Sequence, residues 1–527
     1  MPVLVILASL LQAAPQQPRG LIAGRAISAQ TGEGIGGVQV QITRLGAEPA
    51  ELATSTAADG SFSFPSLRGG QYSLMARKPA HQPAQTLPVS TKLDQDESRT
   101  GIELKFYRPG VITGRVKEPD GRPVIQAEVT AYRLVWTEGR QSVVAAGSST
   151  SDDRGEYRIS KLPAGRYLLA AMPAPLGSLV GAEAQLPIRT FYPSSAHASD
   201  STPLRVGWDR ELADIDFELR PETSYCVAGR VVDAPAGGPC GSCVLRVSST
   251  DDGYHAPIGS GNTIRDGSYR ICGLASGTYR FSAINPASGS AGEGIRTVRV
   301  TKSNLRDVDV YLRAEGSVKG RLIFELTADD AKQKEAGVVM IQFRKADAPT
   351  EGSVAEVRAD STFEVKGLSA GTYRIQLHGL PAGGYLKELR LAGQPLPSPQ
   401  VDVSEEGSPQ LEVVAGFDSA TLTVAVKRQD GTKIASPGTV IALFPADNSS
   451  PFVTEIRGRT GPNGSATVMS VPPGVYMAYA FTEAGAGEWG DPEIRRRNPS
   501  DGRLVEVGAG KRESLEIPLS PDIPDGM

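Results

Sequence analysis

One six-residue phrase occurs five times along the chain, about once every hundred residues. Each occurrence places an aliphatic residue, two turn-prone residues, a glycine, one variable residue and a tyrosine in that order. The five forms are LRGGQY, LPAGRY, LASGTY, LSAGTY and VPPGVY, ending at Tyr72, Tyr167, Tyr279, Tyr373 and Tyr476. A phrase that recurs at a nearly fixed period indicates a chain built from repeated structural units.

Three further phrases recur in register with the tyrosines. A short strand precedes each phrase and carries Gly-Arg at 24–25, 114–115, 229–230 and 320–321, whereas the fifth strand, ATLTVAV from Ala420, lacks it. An acidic turn then leads to an aromatic residue in DGSF, DRGEY, DGSY and DSTF, starting at Asp59, Asp153, Asp266 and Asp360, and becomes NGSAT at Asn463. A closing segment with period-two alternation follows each tyrosine: GIELKF, DIDFEL, DVDVYL, QLEVV and SLEIPL. The constant order predicts five tandem domains, called copies one to five below.

The alternating segments and frequent turn residues predict an all-β fold of small antiparallel β-sandwiches. The 59 glycines and 39 prolines supply turns without reaching the share typical of low-complexity disorder. The predicted domains are 20–109, 110–221 with an insertion, 224–315, 316–416 and a divergent 417–522. One short helix is predicted in copy four, in TADDAKQKEAG, capped by Thr327 and ended by Gly337.

The tyrosine phrase is interpreted as a structural corner. Glycine accepts a backbone conformation that a Cβ would strain, and the alternation points each tyrosine into the core. A buried tyrosine hydroxyl needs a partner, which a nearby turn backbone can supply. The alternative is a row of ligand-binding tyrosines. The corner residues are Gly70 with Tyr72, Gly165 with Tyr167, Gly277 with Tyr279, Gly371 with Tyr373, and Gly474 with Tyr476.

The first residues predict export. An apolar stretch from Val3 to Leu11 precedes Ala13 and Ala14, as in a secretory signal peptide spanning 1–14, although no Lys or Arg comes before it. The alternative is a buried N-terminal strand. No later segment reaches the roughly 18 apolar residues of a membrane span, so we expect an extracytoplasmic protein, periplasmic or secreted.

All four cysteines fall in copy three, at Cys226, Cys240, Cys243 and Cys272. An even number in one domain of an exported chain predicts two disulfides. Cys243 shares a strand face with Leu245 and Val247, whereas Cys272 alternates out of phase with Ile271, so we do not expect Cys243 to pair with Cys272. A structural zinc site or a redox CGSC motif is the alternative.

The sequence lacks the residue sets of common enzymes. None of the four histidines, at 81, 197, 255 and 378, begins a His-x-x-Glu zinc pair. No G-x-S-x-G elbow or complete P-loop occurs. We therefore predict no catalytic residues, cofactor or metal, with a weak calcium site at an acidic turn as the alternative. The net charge of −4 does not indicate the basic surface that a nucleic-acid-binding protein needs.

Aromatic residues outside the repeated phrases are the candidates for ligand binding. Trp136, Phe191, Tyr192 and Trp208 fall in copy two, and Trp489 falls in a predicted loop of copy five. Sugar rings stack on flat aromatic faces, and loops on a rigid scaffold often carry binding sites. The alternative is that these side chains only pack.

The order of G-x-V, a turn, a strand, D-x-G-x-F/Y and L-x-x-G-x-Y resembles the carboxypeptidase regulatory-like domain, a small β-sandwich related to transthyretin-like and carbohydrate-binding-like folds. The resemblance implies a non-catalytic module in an exported bacterial repeat protein. We accordingly expect a binding or spacer module at the cell envelope, with polysaccharide or another envelope protein as partner. The alternative is a regulatory or docking subunit for a carboxypeptidase-type peptidase or an outer-membrane receptor.

Overall fold

The structure is a computed structural model of the 527-residue chain. It describes residues 20–521 except for 46–49, 84–88, 138–139, 174–187, 220–222, 234–236, 251–256, 287–292, 314–315, 326–337, 347–351, 382, 405–409, 428–430, 432–438, 447–449, 462–463, 483–484 and 486–488. The predicted signal peptide and the predicted helix of copy four lie outside the described residues. The chain divides into two compact units, Met1–Arg108 and Pro109–Met527.

The first unit contains the strands of copy one. They are β1 (Gly20–Ser28), β2 (Gln39–Leu45), β3 (Ala50–Ser55), β4 (Ser61–Leu67), β5 (Gly70–Arg77), β6 (Gln82–Pro83), β7 (Val89–Leu93) and β8 (Ser98–Tyr107). One sheet has the order β4-β1-β8-β6 and the other β3-β2-β5-β7. Buried side chains of both sheets form one hydrophobic cluster, which includes Ile22, Phe62 and Tyr72. The predicted all-β fold is confirmed, and the same plan recurs in the second unit.

The second unit begins with the strands of copies two and three. Those of copy two are β9 (Gly110–Lys117), β10 (Glu128–Thr137), β11 (Arg140–Thr150), β12 (Glu156–Leu162), β13 (Gly165–Met172), β14 (Thr190–Phe191), β15 (Leu204–Val206), β16 (Glu211–Leu212) and β17 (Phe217–Glu218). Those of copy three are β18 (Tyr225–Asp233), β19 (Gly238–Pro239), β20 (Val244–Ser249), β21 (Pro257–Asn262), β22 (Ser268–Leu274), β23 (Gly277–Ile284), β24 (Glu293–Val300) and β25 (Val310–Leu312). The central pairs, β9 with β12 and β10 with β13 in copy two, return in copy three as β18 with β22 and β20 with β23.

The remaining strands belong to copies four and five. Copy four has β26 (Gly316–Glu325), β27 (Met340–Lys345), β28 (Gly352–Glu356), β29 (Thr362–Leu368), β30 (Gly371–His378), β31 (Tyr385–Leu391), β32 (Gln394–Pro395), β33 (Gln400–Val403) and β34 (Gln410–Gly416). Copy five has β35 (Ala420–Lys427), β36 (Val440–Pro445), β37 (Ile456–Arg459), β38 (Ser465–Val471), β39 (Gly474–Phe481), β40 (Arg503–Val507) and β41 (Arg512–Pro518). Their sheets have the orders β29-β26-β34-β31-β32 and β28-β27-β30-β33, then β38-β35-β41 and β37-β36-β39-β40.

The short helical segments in the described part of the chain lie in copies two and five. The α-helix α1 (Pro492–Arg497) begins at Asp491, whose carboxylate accepts a hydrogen bond from the backbone N–H of Glu493. Single 3-10 turns span Ala198–Asp200 and Pro499–Asp501. The helix lies in copy five, where we expected none. Within the described residues, no helix has the length and apolar character needed to cross a membrane.

In each copy the opening strand pairs in parallel with the closing segment, which in copy two forms two short strands. In copy one this joins β1 to β8, from Leu21 opposite Ser98 to Ser28 opposite Phe106. In the later copies β9 pairs in parallel with β16 and β17, β18 with β25, β26 with β34, and β35 with β41. Parallel neighbours need a long crossover, and here the whole second sheet lies between them in sequence. The closing strand thereby returns to the sheet of the opening strand and pairs beside it.

The Gly-Arg phrase and the aromatic residue of the acidic turn are cross-strand partners. Gly24 lies opposite Phe62, Gly114 opposite Tyr157, Gly229 opposite Tyr269, and Gly320 opposite Phe363. A Cβ at Gly320 would lie only 2.5 Å from the ring of Phe363 and would also overlap the carbonyl of Leu411. In copy five the same register holds Val424 opposite Ala466. The glycine and the aromatic ring are therefore lost together in copy five, where a valine and an alanine occupy the two cross-strand positions.

This pairing predicts a measurable coupling between the two positions. Gly320→Val in copy four should destabilise the domain by clashing with the ring of Phe363 and with the carbonyl of Leu411, and Phe363→Ala should leave a cavity and remove the first of these clashes. The double variant, which copies the pair of copy five, should be more stable than the sum of the single effects, with a coupling of about 0.5–3 kcal/mol. Hydrogen exchange in residues 362–368 measures it. The reverse cycle, Val424→Gly with Ala466→Phe, is the control, and additive effects in both cycles would contradict the pairing.

Candidate functional site

The five corner tyrosines make the same hydrogen bond. Each hydroxyl donates to the backbone carbonyl four residues upstream. The acceptors are Arg68, Pro163, Ala275, Ser369 and Pro472, at 2.7, 2.5, 2.9, 2.9 and 2.9 Å. All five rings are buried, and burial raises the pKa of Tyr167 to about 12. The bond ties each tyrosine to the turn that precedes its own strand.

The corner glycines occupy a backbone region that other residues strongly disfavour. Their φ angles lie between 151° and 159° in all five copies. This region is essentially restricted to glycine, since a residue with a side chain is strained there by about 1–3 kcal/mol or must shift the backbone. The glycine and tyrosine of the phrase are therefore both occupied in shaping the turn.

The acidic turns use their carboxylates internally. Asp59 accepts hydrogen bonds from the backbone N–H and hydroxyl of Ser61, at 3.0 and 2.7 Å. Asp360 does the same with the backbone and hydroxyl of Thr362. Hydrogen bonds from Ser61 and Thr362 lower the pKa of these two carboxyl groups. In copy two the capping residue is Asp152, one position before the Asp153 that the phrase predicts.

Metal-binding residues do not gather in the described segments. No group of three or more His, Cys, Asp or Glu side chains has an arrangement suited to a metal ion there. His378 lies on the surface, where its Nε2 is 2.9 Å from the amide oxygen of Gln342. The stretch around His255 and the pair Asp251–Asp252 lies outside the described residues.

The four cysteines form two disulfides, as predicted. Cys240 pairs with Cys243 inside the core of copy three, where both are buried. Cys226 of β18 pairs with Cys272 of β22 across two neighbouring strands, and both are half-buried. Cys243 and Cys272 are not paired with each other, in agreement with the alternation of their strands.

Two of the copy-two aromatic residues are used in packing. Phe191 is only 2% exposed and covers the outer face of the sheet beside Tyr132 and Leu168. Tyr192 packs edge-on against Phe217, with ring centroids 5.8 Å apart, at the border of the main core. The insertion thus builds a second small core on copy two, which strand periodicity alone did not indicate.

The two tryptophans of copy two lie at the same end of one sheet. Trp136 is near the end of β10 and Trp208 follows β15 by two residues, and both are half-buried. Strand β13 pairs with both β10 and β15, with Tyr167 opposite Arg133 on one side and Leu204 on the other. Of the four predicted aromatic residues, Trp136 and Trp208 remain as candidates, and their role in binding stays a prediction.

Copy five has a comparable outer cluster, and it contains Trp489. This tryptophan is fully buried, stacks on Tyr479 with centroids 5.2 Å apart, and donates its indole N–H to the carbonyl of Pro521. The guanidinium of Arg495 lies 3.6 Å from the ring centroid of Phe444, and burial lowers the pKa of Arg495. Helix α1 and the residues around it cover this face, so Trp489 serves packing.

A buried polar cluster joins copy three to copy four. Lys345 of β27 is 3% exposed, and its ammonium donates to the Glu293 carboxylate of β24 at 2.8 Å and to the Ser369 hydroxyl at 2.7 Å. Ser369 also bonds Glu293 and contacts the hydroxyl of Tyr373. Ser282 donates to the other oxygen of Glu293 at 2.8 Å. Sequence reasoning missed this cluster, because its members come from two different copies.

Copies four and five are joined by aromatic packing and by hydrogen bonds, among them that of the Ser419 hydroxyl to the Gly383 carbonyl. Phe324 and Phe417 pack with centroids 5.8 Å apart, and Phe452 of copy five packs on the core cluster of copy four. Tyr385 donates its hydroxyl to the carboxylate of Asp418 at 2.7 Å. Burial and this bond raise the pKa of Tyr385. Two successive joints in the second unit are thus built from side-chain contacts, buried between copies three and four and half-buried between copies four and five.

The family comparison agrees with the repeated phrases. The family model of the carboxypeptidase regulatory-like domain matches residues 22–105 and 111–179. The predicted resemblance is confirmed. These two matches cover the regulatory-like domain of copy one and the first part of copy two. No curated protein matches the chain.

Several solved structures share distant similarity with this chain. The Bacillus anthracis TIE protein is 11% identical over 76% of both chains, with a TM-score of 0.17. The Streptococcal ancillary pilin is 12% identical over 56% of this chain and 99% of the pilin, with a TM-score of 0.17. The minor pilin GBS52 of Streptococcus agalactiae is 15% identical over 38% of this chain and 97% of its own, with a TM-score of 0.21. At these TM-scores the similarities carry no argument about this protein.

Proposed function

We propose that the chain is an exported, non-catalytic array of five β-sandwiches that serves as a binding or spacer module at the cell envelope. One observation carries the proposal: the residues that the copies share are used to build the sandwich. The tyrosine hydroxyls bond their own turns, and the Gly-Arg glycines face their aromatic partners. Because these repeated residues shape the fold of each copy, their repetition indicates a repeated scaffold and not a repeated reactive site.

The two disulfides support the proposal that the protein is located outside the cytoplasm. Disulfides persist in oxidising compartments and are rare where glutathione and thioredoxin keep thiols reduced. All four cysteines of the chain are paired. An exported scaffold with two disulfides in one domain is consistent with a location in the bacterial envelope or in the medium outside the cell.

A test of the proposal measures disulfide state and activity on the same material. Protein isolated from its source under alkylating conditions should carry both disulfides, and the purified full chain should not hydrolyse peptide, ester or glycoside substrates. Reduced thiols in the isolated protein would contradict export. Hydrolysis that is lost in a single variant such as His197→Ala would contradict the non-catalytic assignment.

The half-buried indoles of Trp136 and Trp208 support polysaccharide as the proposed ligand. Two half-buried indoles at one end of a sheet provide flat faces for sugar rings, and neighbouring loops can complete a site. We expect a glycan array probed with the full chain to give a signal that Trp136→Ala and Trp208→Ala reduce. Tyr311→Ala, at a half-exposed aromatic of copy three, is the matched control. A glycan signal unchanged in both tryptophan variants would exclude this site.

A regulatory or docking role is the alternative function. The matched family model describes a regulatory-like domain, and the joints of the second unit would present a partner with a fixed surface. Capture of a peptidase or an outer-membrane receptor by the full chain from envelope extract, with no glycan bound, would favour the alternative.

A further inference from the structure

An open cavity on copy three lies beside the half-buried disulfide. It has a volume of about 580 Å³ and is lined by Cys226, Arg230, Arg270, Asn304 and Arg306, among others. This volume lies within the range of small-molecule sites. Cys226 therefore faces a space large enough to hold a small molecule, and its bond to Cys272 is within reach of that molecule.

The two disulfides of copy three differ in accessibility. Cys240 and Cys243 are 4% and 0% exposed and belong to the hydrophobic core. Cys226 and Cys272 are half-buried and bridge the outer side of β18 and β22. Thiol–disulfide exchange requires a thiolate to reach a sulfur atom. A thiol reagent should consequently reach the Cys226–Cys272 disulfide and not the Cys240–Cys243 disulfide.

The charges around Cys226 favour an anionic reagent. The guanidinium of Arg270 lies 3.8 Å from the Cys226 sulfur, and Arg230 and Arg306 line the same cavity. Asp307 and Asp309 also line the cavity. Its three guanidinium groups outnumber its two carboxylates, which leaves a net positive charge. Asp309 accepts a hydrogen bond from the backbone N–H of Arg230 at 3.0 Å, which occupies one of its oxygens.

We propose that Cys226 is an exchange site for a low-molecular-weight thiol that carries carboxylates. The arginines hold the carboxylates and the incoming thiolate, and the thiolate attacks the Cys226 sulfur. A new sulfur–sulfur bond forms as the Cys226–Cys272 bond breaks, and the electron pair leaves on Cys272, which takes a proton from water. A second thiolate then attacks the thiol's own sulfur in this mixed disulfide and restores the Cys226 thiolate. Two thiols are oxidised to one disulfide as the protein disulfide is reduced.

The backbone of copy three should survive the exchange. Strands β18 and β22 remain paired by their own ladder, from Tyr225 opposite Leu274 to Arg230 opposite Ser268. The buried Cys240–Cys243 bond stays in place. The mixed disulfide at Cys226 is thus formed and released on a folded surface.

The test exposes the full chain to glutathione, which carries carboxylates, or to cysteamine, which is cationic, and follows each disulfide by alkylation and mass spectrometry. We expect the Cys226–Cys272 bond to react about tenfold faster than the Cys240–Cys243 bond, because the latter is shielded. Each rate is divided by the rate of the same thiol on a small soluble disulfide, and glutathione should then exceed cysteamine. The glutathione adduct should map to Cys226.

Arg270→Gln separates the proposed site from simple exposure. It should slow the reaction with glutathione about fivefold, the factor that one charge at this distance supplies in water, and leave cysteamine unaffected or faster. Arg246→Gln, at an exposed arginine on the other sheet of copy three, should change neither rate. Equal rates at the two disulfides, an adduct on Cys272, or reduction that occurs only with loss of the circular dichroism signal would overturn the proposal.

Discussion

Replacing Tyr167 with alanine is expected to unfold copy two. The ring is 0% exposed and belongs to the core cluster, and truncation of a buried aromatic residue costs about 3–5 kcal/mol. That loss approaches the whole stability of a small domain, about 5–15 kcal/mol. Tyr167→Phe keeps the ring and removes only the bond to the Pro163 carbonyl, so it should cost about 1 kcal/mol.

Hydrogen exchange in residues 165–172 measures the opening free energy of this region directly. A single unfolding curve of the whole chain would mix several domains. Tyr311→Ala is the control, since that aromatic is 50% exposed in copy three and surface changes usually stay within about 0.5 kcal/mol. Protection in Tyr167→Ala equal to that of the wild type would show that the tyrosine does not hold the corner.

Removing the charge of Glu293 is expected to loosen the joint between copies three and four. Glu293→Gln would leave the ammonium of Lys345 buried without its carboxylate, and breaking one side of a buried ion pair costs about 3–5 kcal/mol. The loss should appear as faster hydrogen exchange on both sides of the joint, in residues 293–300 and 340–345. It should be smallest in copy one, which lies in the other unit of the chain.

The double variant Glu293→Gln with Lys345→Met tests the origin of this effect. Without the buried ammonium the penalty should largely disappear, because apolar replacement of a buried ion pair is often neutral. If the double variant is as unstable as Glu293→Gln, the loss comes from the other partners of Glu293, which are the hydroxyls of Ser282 and Ser369 and the guanidinium of Arg280, and not from Lys345.

The sequence predicted those features that rest on local chemistry. The period-two alternation placed Tyr279 and Phe281 on the core face of one strand, and both are buried. A glycine ahead of each tyrosine indicated an unusual backbone angle, because no other common residue tolerates it. Cysteine clustering together with strand phase predicted two disulfides and excluded the Cys243–Cys272 pair.

Features that depend on distant parts of the chain could not be predicted. Phe191 and Trp489 looked like surface aromatics because each lies outside the alternation, yet each covers the outer face of a sheet. Lys345 occupies the position opposite the corner tyrosine that Arg44 and Arg133 occupy in copies one and two. Its sequence neighbours carry no sign that Glu293 of copy three is its partner.

Coordinated changes between copies were visible in the sequence but needed the strand register for their explanation. Copy five lacks both Gly-Arg and the aromatic of the acidic turn, and these two losses looked like separate signs of divergence. The register places Val424 opposite Ala466, so the two losses lie at cross-strand partners and belong together.

Limited proteolysis of four single variants tests the central claim, that the repeated tyrosine is a structural corner of a copy with its own core. The variants are Tyr72→Ala, Tyr167→Ala, Tyr279→Ala and Tyr476→Ala; Tyr373 is left out because its neighbour Ser369 bonds Glu293 of copy three. Mass mapping should place the first new cuts of each variant within its own copy, in 20–109, 110–221, 224–315 and 417–522 respectively; copy four shares buried contacts with copies three and five, so only copies that share no such joint with the variant's copy should stay intact. New cuts spread over the whole chain, or variants as resistant as the wild type that have lost a bound ligand, would contradict the claim.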